Sequence, residues 1–444
     1  MSLERKVLIA GIGIGILSAL LNTFYLPVEN WDEARRGVNA ILANCTRDYC
    51  HYRYLYGVLD TFNTKPPLFT LLLAGVFQIT GISSVSLRII SSISFLLFLG
   101  YTFYVSKKHL STQDAFLASI VLLTVHGIAG YHVAYNGDTD MLFVLFVTIS
   151  SYNLYSYLLG RSKSSLVISA SSLFLAFMTK GVAILLVAVG WIMYILFKWK
   201  EIQPIKIKEL TISSFIVGAL CVSLLSQFQV TDEGNLLYDV FMNDGIRRFT
   251  DSDFENGYKW DFIFVSLDTR FGFYIYVIYI GIMISLFCYR RMQKLNDFYI
   301  FNICMASSTI LLLILSTNKH NWYIAPIIYP LSILVIYFFN NLKSHKVIIT
   351  VAALLLLGIT SVHRFDRALK YRVDKDRYSY VDCQINESSE VHISPYAEQK
   401  HVFFVYSRTC QVLSESEFKA RNSTFKTCIL SDGTLILISE PSDN

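Results

Sequence analysis

The chain has 444 residues, 54% of them hydrophobic and only 16% charged, with a formal net charge of +5. That balance leaves too little polar surface to cover a soluble globule of this size, so the sequence belongs in a bilayer. Its Lys and Arg residues fall in short clusters between apolar runs instead of along one basic face, which argues against nucleic acid as a partner.

A bilayer crossing takes roughly twenty apolar residues, and the sequence offers about eleven such runs. In chain order they fall at 7–26, 86–105, 114–133, 140–159, 165–179, 181–197, 209–228, 271–289, 297–316, 322–340 and 346–362. The first follows Arg5 and Lys6 but lacks a small-residue cleavage site, so it reads as an uncleaved first helix. With this spacing Lys107-Lys108, Arg161 with Lys163, the Lys residues of 198–208, Arg290-Arg291 with Lys294, and Lys343 with Lys346 all share the side of the basic N-terminus. The positive-inside rule makes that side cytoplasmic. The apolar run 68–82 is too short for a comfortable crossing and would invert every later loop, so it is predicted to lie in the interface or to re-enter. The expected protein crosses the cell membrane many times, with its N-terminus cytoplasmic, its C-terminus extracytoplasmic and its first outer loop at 27–86.

After residue 363 the long apolar runs give way to short alternating stretches at 402–406 and 434–439. They predict a small outer α/β domain over 364–444, following an all-α membrane domain over 1–363. Cys45 and Cys50 lie in the first outer loop and Cys383, Cys410 and Cys428 in the tail, a compartment that permits disulfides. A local Cys45–Cys50 bridge and one pair within the tail are expected, with Cys221, Cys288 and Cys304 as packing residues. No Cys-x-x-Cys pair of zinc type occurs.

The residues capable of chemistry collect on the predicted outer side. Trp31-Asp32-Glu33-Ala34-Arg35-Arg36 places two carboxylates just beyond the first span. Helix capping alone accounts for an arbitrary Asp-Glu pair, but at the face of a membrane a carboxylate in a partly dry cleft can act as a general base. Lys65, before Pro66-Pro67, either snorkels toward lipid headgroups or grips the phosphate of a lipid-linked substrate, with Arg88 as a second cation. Asp138 and Asp140 stand at the entrance to the fourth span, as caps or as partners of Asp32 in one cavity. Lys180 sits between two apolar runs, where an ammonium group needs a partner or water. Arg248 lies beside Phe249 in the long outer loop, and Lys319-His320-Asn321-Trp322-Tyr323 opens the tenth span. An outer Lys runs against the positive-inside rule, which marks Lys319 with His320 for anion binding, while Trp322 and Tyr323 equally suit an interfacial aromatic belt. His126 and His132 read as helix-packing residues.

Taken in order, Asp32-Glu33-x-Arg35, Lys65-Pro66-Pro67, Arg88, Asp140, Thr179-Lys180-Gly181, Arg248-Phe249, and Lys319 with Tyr323, Pro326 and Pro330 give a pattern over about residues 1–340. This pattern resembles the GT-C membrane glycosyltransferases, in particular the family of the lipid A aminoarabinose transferase and the protein O-mannosyltransferases. The resemblance implies the all-α GT-C fold and transfer of a sugar, with inversion, from a polyprenyl-phosphate donor to a lipid, glycan or protein acceptor. It implies Asp32 as base or acceptor-orienting group, Glu33 and Asp140 as further catalytic acids, and Lys65, Arg88, Arg248, Lys319 and His320 on the donor phosphate. Arg35, Asp138, Lys180 and Tyr323 are then further substrate-binding residues. No acidic motif insists on a metal ion, so transfer without a divalent ion or other cofactor is expected. Two features depart from the pattern: Val182 stands where a proline usually follows Thr-Lys-Gly, and Asp138 is an extra acid beside Asp140. A transporter or flippase of lipid-linked sugars is the competing reading. Such proteins more often show internal repeats and charges deep within spans, neither of which is evident here.

Overall fold

Apolar sequence long enough to cross a bilayer forms helix, because hydrocarbon offers the backbone no other hydrogen-bond partner. The computed structural model describes residues 3–60, 63–160, 162–228, 236–250, 261–287, 295–317, 319–341, 346–374, 385–422, 424–429 and 434–439. Helix α1 (Leu3–Tyr25) is followed by an amphipathic α2 (Asp32–Thr46), a short α3 (Leu68–Thr80), then α4 (Ser84–His109), α5 (Thr112–Thr124), α6 (Thr139–Leu158) and α7 (Lys163–Lys180). Next come α8 (Leu185–Phe197), α9 (Pro204–Leu225), the short α10 (Leu236–Phe241), α11 (Arg247–Thr250) and α12 (Phe262–Phe271), and α13 (Tyr274–Phe287). Helices α14 (Asp297–Leu315), α15 (Ile328–Asn341) and the long α16 (Lys346–Asp374) complete the membrane part.

Among the described residues, eight stretches are long and apolar enough to cross a membrane, and α3, α5 and part of α13 are shorter apolar helices. One stretch, Lys163–Phe197, has 35 residues, far more than one crossing needs. It is two helices. Gly181 breaks it with a φ of +55°, a left-handed value that any side chain would strain, and a Cβ there would come within 2.7 Å of Val240. Lys180 bonds Asp140 at the start of α6, whereas Lys198 bonds Asp297 at the start of α14, so α7 and α8 run in opposite directions.

Polar contacts sort the helix ends into two sets. At one end, Lys163 meets Glu209 at the start of α9, Lys206 donates to the last carbonyls of α6, and Asn340 donates to Asp114 at the start of α5. This end carries the described basic clusters that the sequence assigns to the cytoplasm; Arg161, Arg290, Arg291, Lys294 and Lys343 lie outside the described residues. The other end gathers the first loop, the start of α6 and the turn after α7. Pro66 lies against Gly181 and Thr80 bonds Ser86 beside the start of α4, so both ends of α3 are at this loop end. The 68–82 run therefore does not cross, which preserves the predicted alternation of the later spans.

The third predicted span is shorter than expected: α5 stops at Thr124, and residues 125–138 turn back irregularly at the loop end. The last span is longer, because α16 runs on past residue 363 to Asp374. Beyond it, strands β1 (Val391–Ile393), β2 (Phe425–Ile429) and β3 (Leu435–Ser439) form an antiparallel sheet of order β1-β3-β2, with α17 (Gln399–Tyr406) and α18 (Glu415–Arg421) beside it. The 402–406 stretch, expected as a strand, is helical in α17 because its apolar residues pack on a helix. Phe403 rests on Gly37 of α2, and Val402 and Val405 share one buried core with Val38, Ile41 and Leu87. The expected Cys45–Cys50 bridge does not form. Cys45 at the end of α2 is joined instead to Cys410 of the tail, Cys50 is a free exposed thiol, and Cys428 is also disulfide-bonded.

Candidate active site

The start of α2 is held by a buried ion pair that uses every donor of one arginine. The Arg88 Nε and Nη2 donate to the two Glu33 carboxylate oxygens at 2.6 and 2.7 Å. Its remaining N–H groups reach the carbonyls of Thr23, Leu26 and Pro27 at the end of α1, which have no helical partners of their own. Both side chains are essentially inaccessible. Glu33 Oε1 also accepts from the backbone N–H of Gly137, where a Cβ would strike the Leu87 carbonyl at 2.4 Å. Glu33 and Arg88, singled out in the sequence for catalysis and phosphate binding, are thus fully occupied in joining α1, α2, α4 and the 137 turn.

Asp32, next to Glu33, is partly exposed and faces a different group of residues. Its carboxylate, the His132 ring and the Asp138 carboxylate bring one oxygen or nitrogen each within 4.8 Å of one another. Asp138 caps α6 by accepting the Thr139 N–H, and Arg36 donates to the same oxygen at 2.6 Å. Burial works against the Asp138 charge, but Arg36, then His132 and Lys180, hold the carboxylate well below its usual range. The Arg36 guanidinium is raised in turn: its burial is outweighed by Asp138 and then Asp32. His132 has Nε2 3.1 Å from Glu29, stacks on Trp322 and carries a φ of +64°, a left-handed conformation costly for a non-glycine residue. The Asn136 side chain fixes this turn by accepting the His132 N–H at 3.0 Å. Burial would lower the His132 pKa, but Asp138 and Glu29 push it up to about 10. His132 is therefore a cation of the site and not the helix-packing residue that its place in an apolar run suggested.

Across the Asp138-Thr139-Asp140 turn opens a cleft of about 740 Å³. Lys180 Nζ bonds Asp140 at 2.5 Å and lies 5.1 Å from the centre of the Tyr323 ring. Lys65 lines the same cleft, its backbone fixed by the Tyr52 hydroxyl on its carbonyl and by Asn63 on its N–H. Val182, Leu185, Leu186, Leu312 and Leu313 form the apolar wall, and Gly245 and Phe249 flank Arg248, whose side chain lies outside the described residues. The cleft thus sets Lys65, and the Lys180 ammonium held on Asp140, beside a hydrocarbon-like surface.

Other expected site residues stand off from it. Arg35 turns away to a bidentate pair with Asp60 inside the first loop. Lys319 is buried 5.4 Å from the Phe262 ring centre, and burial pushes its ammonium below the ordinary value. His320 stacks on Trp322 and meets the Tyr323 ring edge-on. Sequence reading passed over Arg36, Glu29 and Arg270; Arg270 donates to Asn321 and to the Tyr131 carbonyl, tying α12 to the 131 turn.

The Asp32, His132 and Asp138 atoms are close enough to suit a divalent ion, but the donor set is a poor fit. Arg36 already occupies one Asp138 oxygen, and Glu29 already holds the His132 Nε2.

Residues 64–226 match the family model for dolichyl-phosphate-mannose-protein mannosyltransferase. A search of curated protein sequences finds no match. Among solved structures, the chain is similar to ArnT from Cupriavidus metallidurans bound to undecaprenyl phosphate, with a TM-score of 0.68 at 12% identity over 98% of both chains. The apo form of that protein gives 0.66, also at 12% identity, over 99% of this chain and 100% of that one. An Archaeoglobus fulgidus oligosaccharyltransferase, solved with zinc and sulfate, gives 0.51 at 14% identity over 82% of this chain and 52% of its own. The helix order, the re-entrant α3, the cleft at the loop end and these likenesses agree that this multi-pass membrane protein has the GT-C glycosyltransferase fold.

Proposed function

We propose that the protein transfers a sugar from a polyprenyl-phosphate donor to a lipid, glycan or protein acceptor at the extracytoplasmic face of the cell membrane. The cleft carries this reading: Lys65 and Lys180 stand at one end of an apolar wall, a layout that suits an anionic head on a long hydrocarbon tail. The fold shared with ArnT, solved with undecaprenyl phosphate, supports this class of carrier. Placing the basic end of the bundle in the cytoplasm by the positive-inside rule puts the cleft and the tail outside.

When the sugar leaves its carrier, negative charge concentrates on the departing phosphate. Cations already fixed in place stabilise that charge without reorganising, and Lys180 is fixed by Asp140 and Tyr323. Lys65, which lines the same cleft, completes the phosphate contacts, while His320 acts indirectly by packing on Trp322 and Tyr323. Asp32 takes the proton of the attacking hydroxyl or amine, or orients that group. Attack opposite the departing phosphate inverts the sugar carbon. Arg36 and His132 keep the neighbouring Asp138 ionised, so positive charge near the acceptor comes from side chains and the reaction is metal-independent. Purified protein supplied with a defined polyprenyl-phosphate sugar should therefore transfer it at the same rate with and without a chelator. Loss of turnover on chelation, restored by a divalent ion, would overturn the metal-free part of the reading.

A further inference from the structure

The two halves of the site share one pair of adjacent rings. Trp322 and Tyr323 begin the short 3-10 helix Asn321–Ile327, which is closed by the Tyr323 N–H on the His320 carbonyl at 3.1 Å and anchored by the buried Ile324 and Ala325. With three residues per turn, neighbouring side chains leave such a helix about 120° apart, and these two rings stand at 85° to one another. Trp322 reaches the Asp32 side, and Tyr323 lines the cleft.

On the Asp32 side the His132 imidazole stacks on the indole, with ring centres 3.9 Å apart and planes at 18°. His320 stacks on the same indole at 4.5 Å and 7°. The two imidazoles make no ring contact with each other among the described residues, so the indole lies between them. Trp322 therefore does not turn an open face to lipid headgroups, as a residue of the aromatic belt would. Each cation is seated between a carboxylate from the start of α6 and one of the two rings. His132 has Nδ1 3.7 Å from Asp138 and its face on Trp322, while Lys180 bonds Asp140 and lies 5.1 Å from the centre of Tyr323. The start of α6 and the 3-10 helix thus fix the separation of the two cations twice over. A ring face attracts a cation, more strongly where water is excluded.

The other groups around His132 favour its charged form. Glu29 lies on Nε2 at 3.1 Å, Asp32 is within 4.8 Å, and Tyr131 meets the ring edge-on at 4.4 Å. Two further cations act at one remove, Arg36 on Asp138 and Arg270 at 5.9 Å from the Trp322 centre.

We infer that Trp322 is a positioning residue for the transfer: it holds the His132 cation, and with it the Asp32–Asp138 pair, at a set distance from the Lys180 end of the cleft. It acts through His132 and not on either substrate. The inference rests on the transfer reading above, since that distance matters only where Asp32 and Lys180 serve one reaction.

The test uses the full-length protein in phosphatidylcholine nanodiscs with Trp322→Leu, Trp322→Phe and Tyr323→Leu. The first readout needs no substrate: NMR of histidine-labelled protein, with the His132 signal identified by its loss in His132→Gln. Trp322→Leu should lower the pH at which His132 gives up its proton by about one unit, and Tyr323→Leu, which alters the Lys180 side, should leave it in place. The second readout is transfer from a defined polyprenyl-phosphate sugar. Trp322→Leu should lower kcat by roughly a hundredfold, the loss expected of a displacement on the order of 1 Å, with the donor KM unchanged. Trp322→Phe keeps a ring face and should recover most of that loss. An unmoved His132 titration or a native kcat in Trp322→Leu would overturn the assignment, as would a loss confined to the donor KM or a Phe variant no faster than the Leu variant. Where Trp322→Leu folds poorly, Trp322→Phe decides alone: its smaller face should lower the His132 midpoint by a few tenths of a unit, roughly, and an unmoved midpoint overturns the assignment. Native protein that transfers no sugar would sink the transfer reading, and the titration would still report the Trp322–His132 contact separately.

Discussion

Two buried cation–carboxylate pairs at the loop end differ in how they are closed. Arg88 with Glu33 is sealed on all sides by three carbonyls and a backbone N–H, so nothing remains for a ligand. Lys180 with Asp140 borders a cleft, and the ammonium shares its face with an aromatic ring and open space. Each joins a basic side chain to a carboxylate; what separates a fastening from a binding group is whether the cation's surroundings are closed or open to a cleft. Both pairs are needed, since the first fixes the helix that carries Asp32 and the second sits where the donor phosphate is proposed to bind.

That contrast can be broken experimentally. Arg88→Met strands Glu33 without its partner and should cost about 3–5 kcal/mol of stability, read as a lower melting temperature, with the remaining folded protein still binding undecaprenyl phosphate. Lys180→Met also strands a buried acid, Asp140, but its distinguishing effect should be on the reaction, lowering turnover of the folded protein by roughly a hundred- to a thousandfold with the donor KM and kcat followed separately. If Arg88→Met proved a pure turnover variant, the division between the two pairs would be wrong. Removing the Cys45–Cys410 bridge with paired serines should cost about 2–4 kcal/mol, and it should appear as early protease cleavage in the tail, because α17 still packs on α2 through Phe403.

A smaller effect separates His132 from both pairs. Its folded pKa of about 10 lies above the ordinary histidine value, so its stabilising contribution is complete below about pH 6.5 and is lost as pH rises through about 10. Melting temperature should therefore decline across that interval, and His132→Gln should flatten the decline. An unchanged slope in the variant would remove His132 from the charged cluster.

Much of this was legible in the sequence, but unevenly. Apolar runs placed the spans because each crossing is read from local composition, and counting basic loops sufficed to keep 68–82 out of the crossings. The cleft residues Lys65, Asp140, Lys180 and Tyr323 stood out because ionisable groups beside apolar runs are costly. Pairings over long separations were not legible. Nothing local marks Glu33 for Arg88, or Cys45 for Cys410 in place of its neighbour Cys50. The alternation at 402–406 suggested a strand, and only packing against Gly37 makes it a helix. His132 had a usable signal, a histidine four residues before Asn136-Gly137-Asp138, but its apolar neighbours outweighed it.

The most direct test of the account is single-turnover transfer from a defined polyprenyl-phosphate sugar by the purified protein, compared with Asp32→Asn and Lys65→Ala. The account predicts that Asp32→Asn loses roughly a hundredfold or more in the chemical step with donor binding intact, and that Lys65→Ala chiefly weakens donor binding. Native turnover in both variants would contradict the assignment of the cleft and of Asp32 as its base.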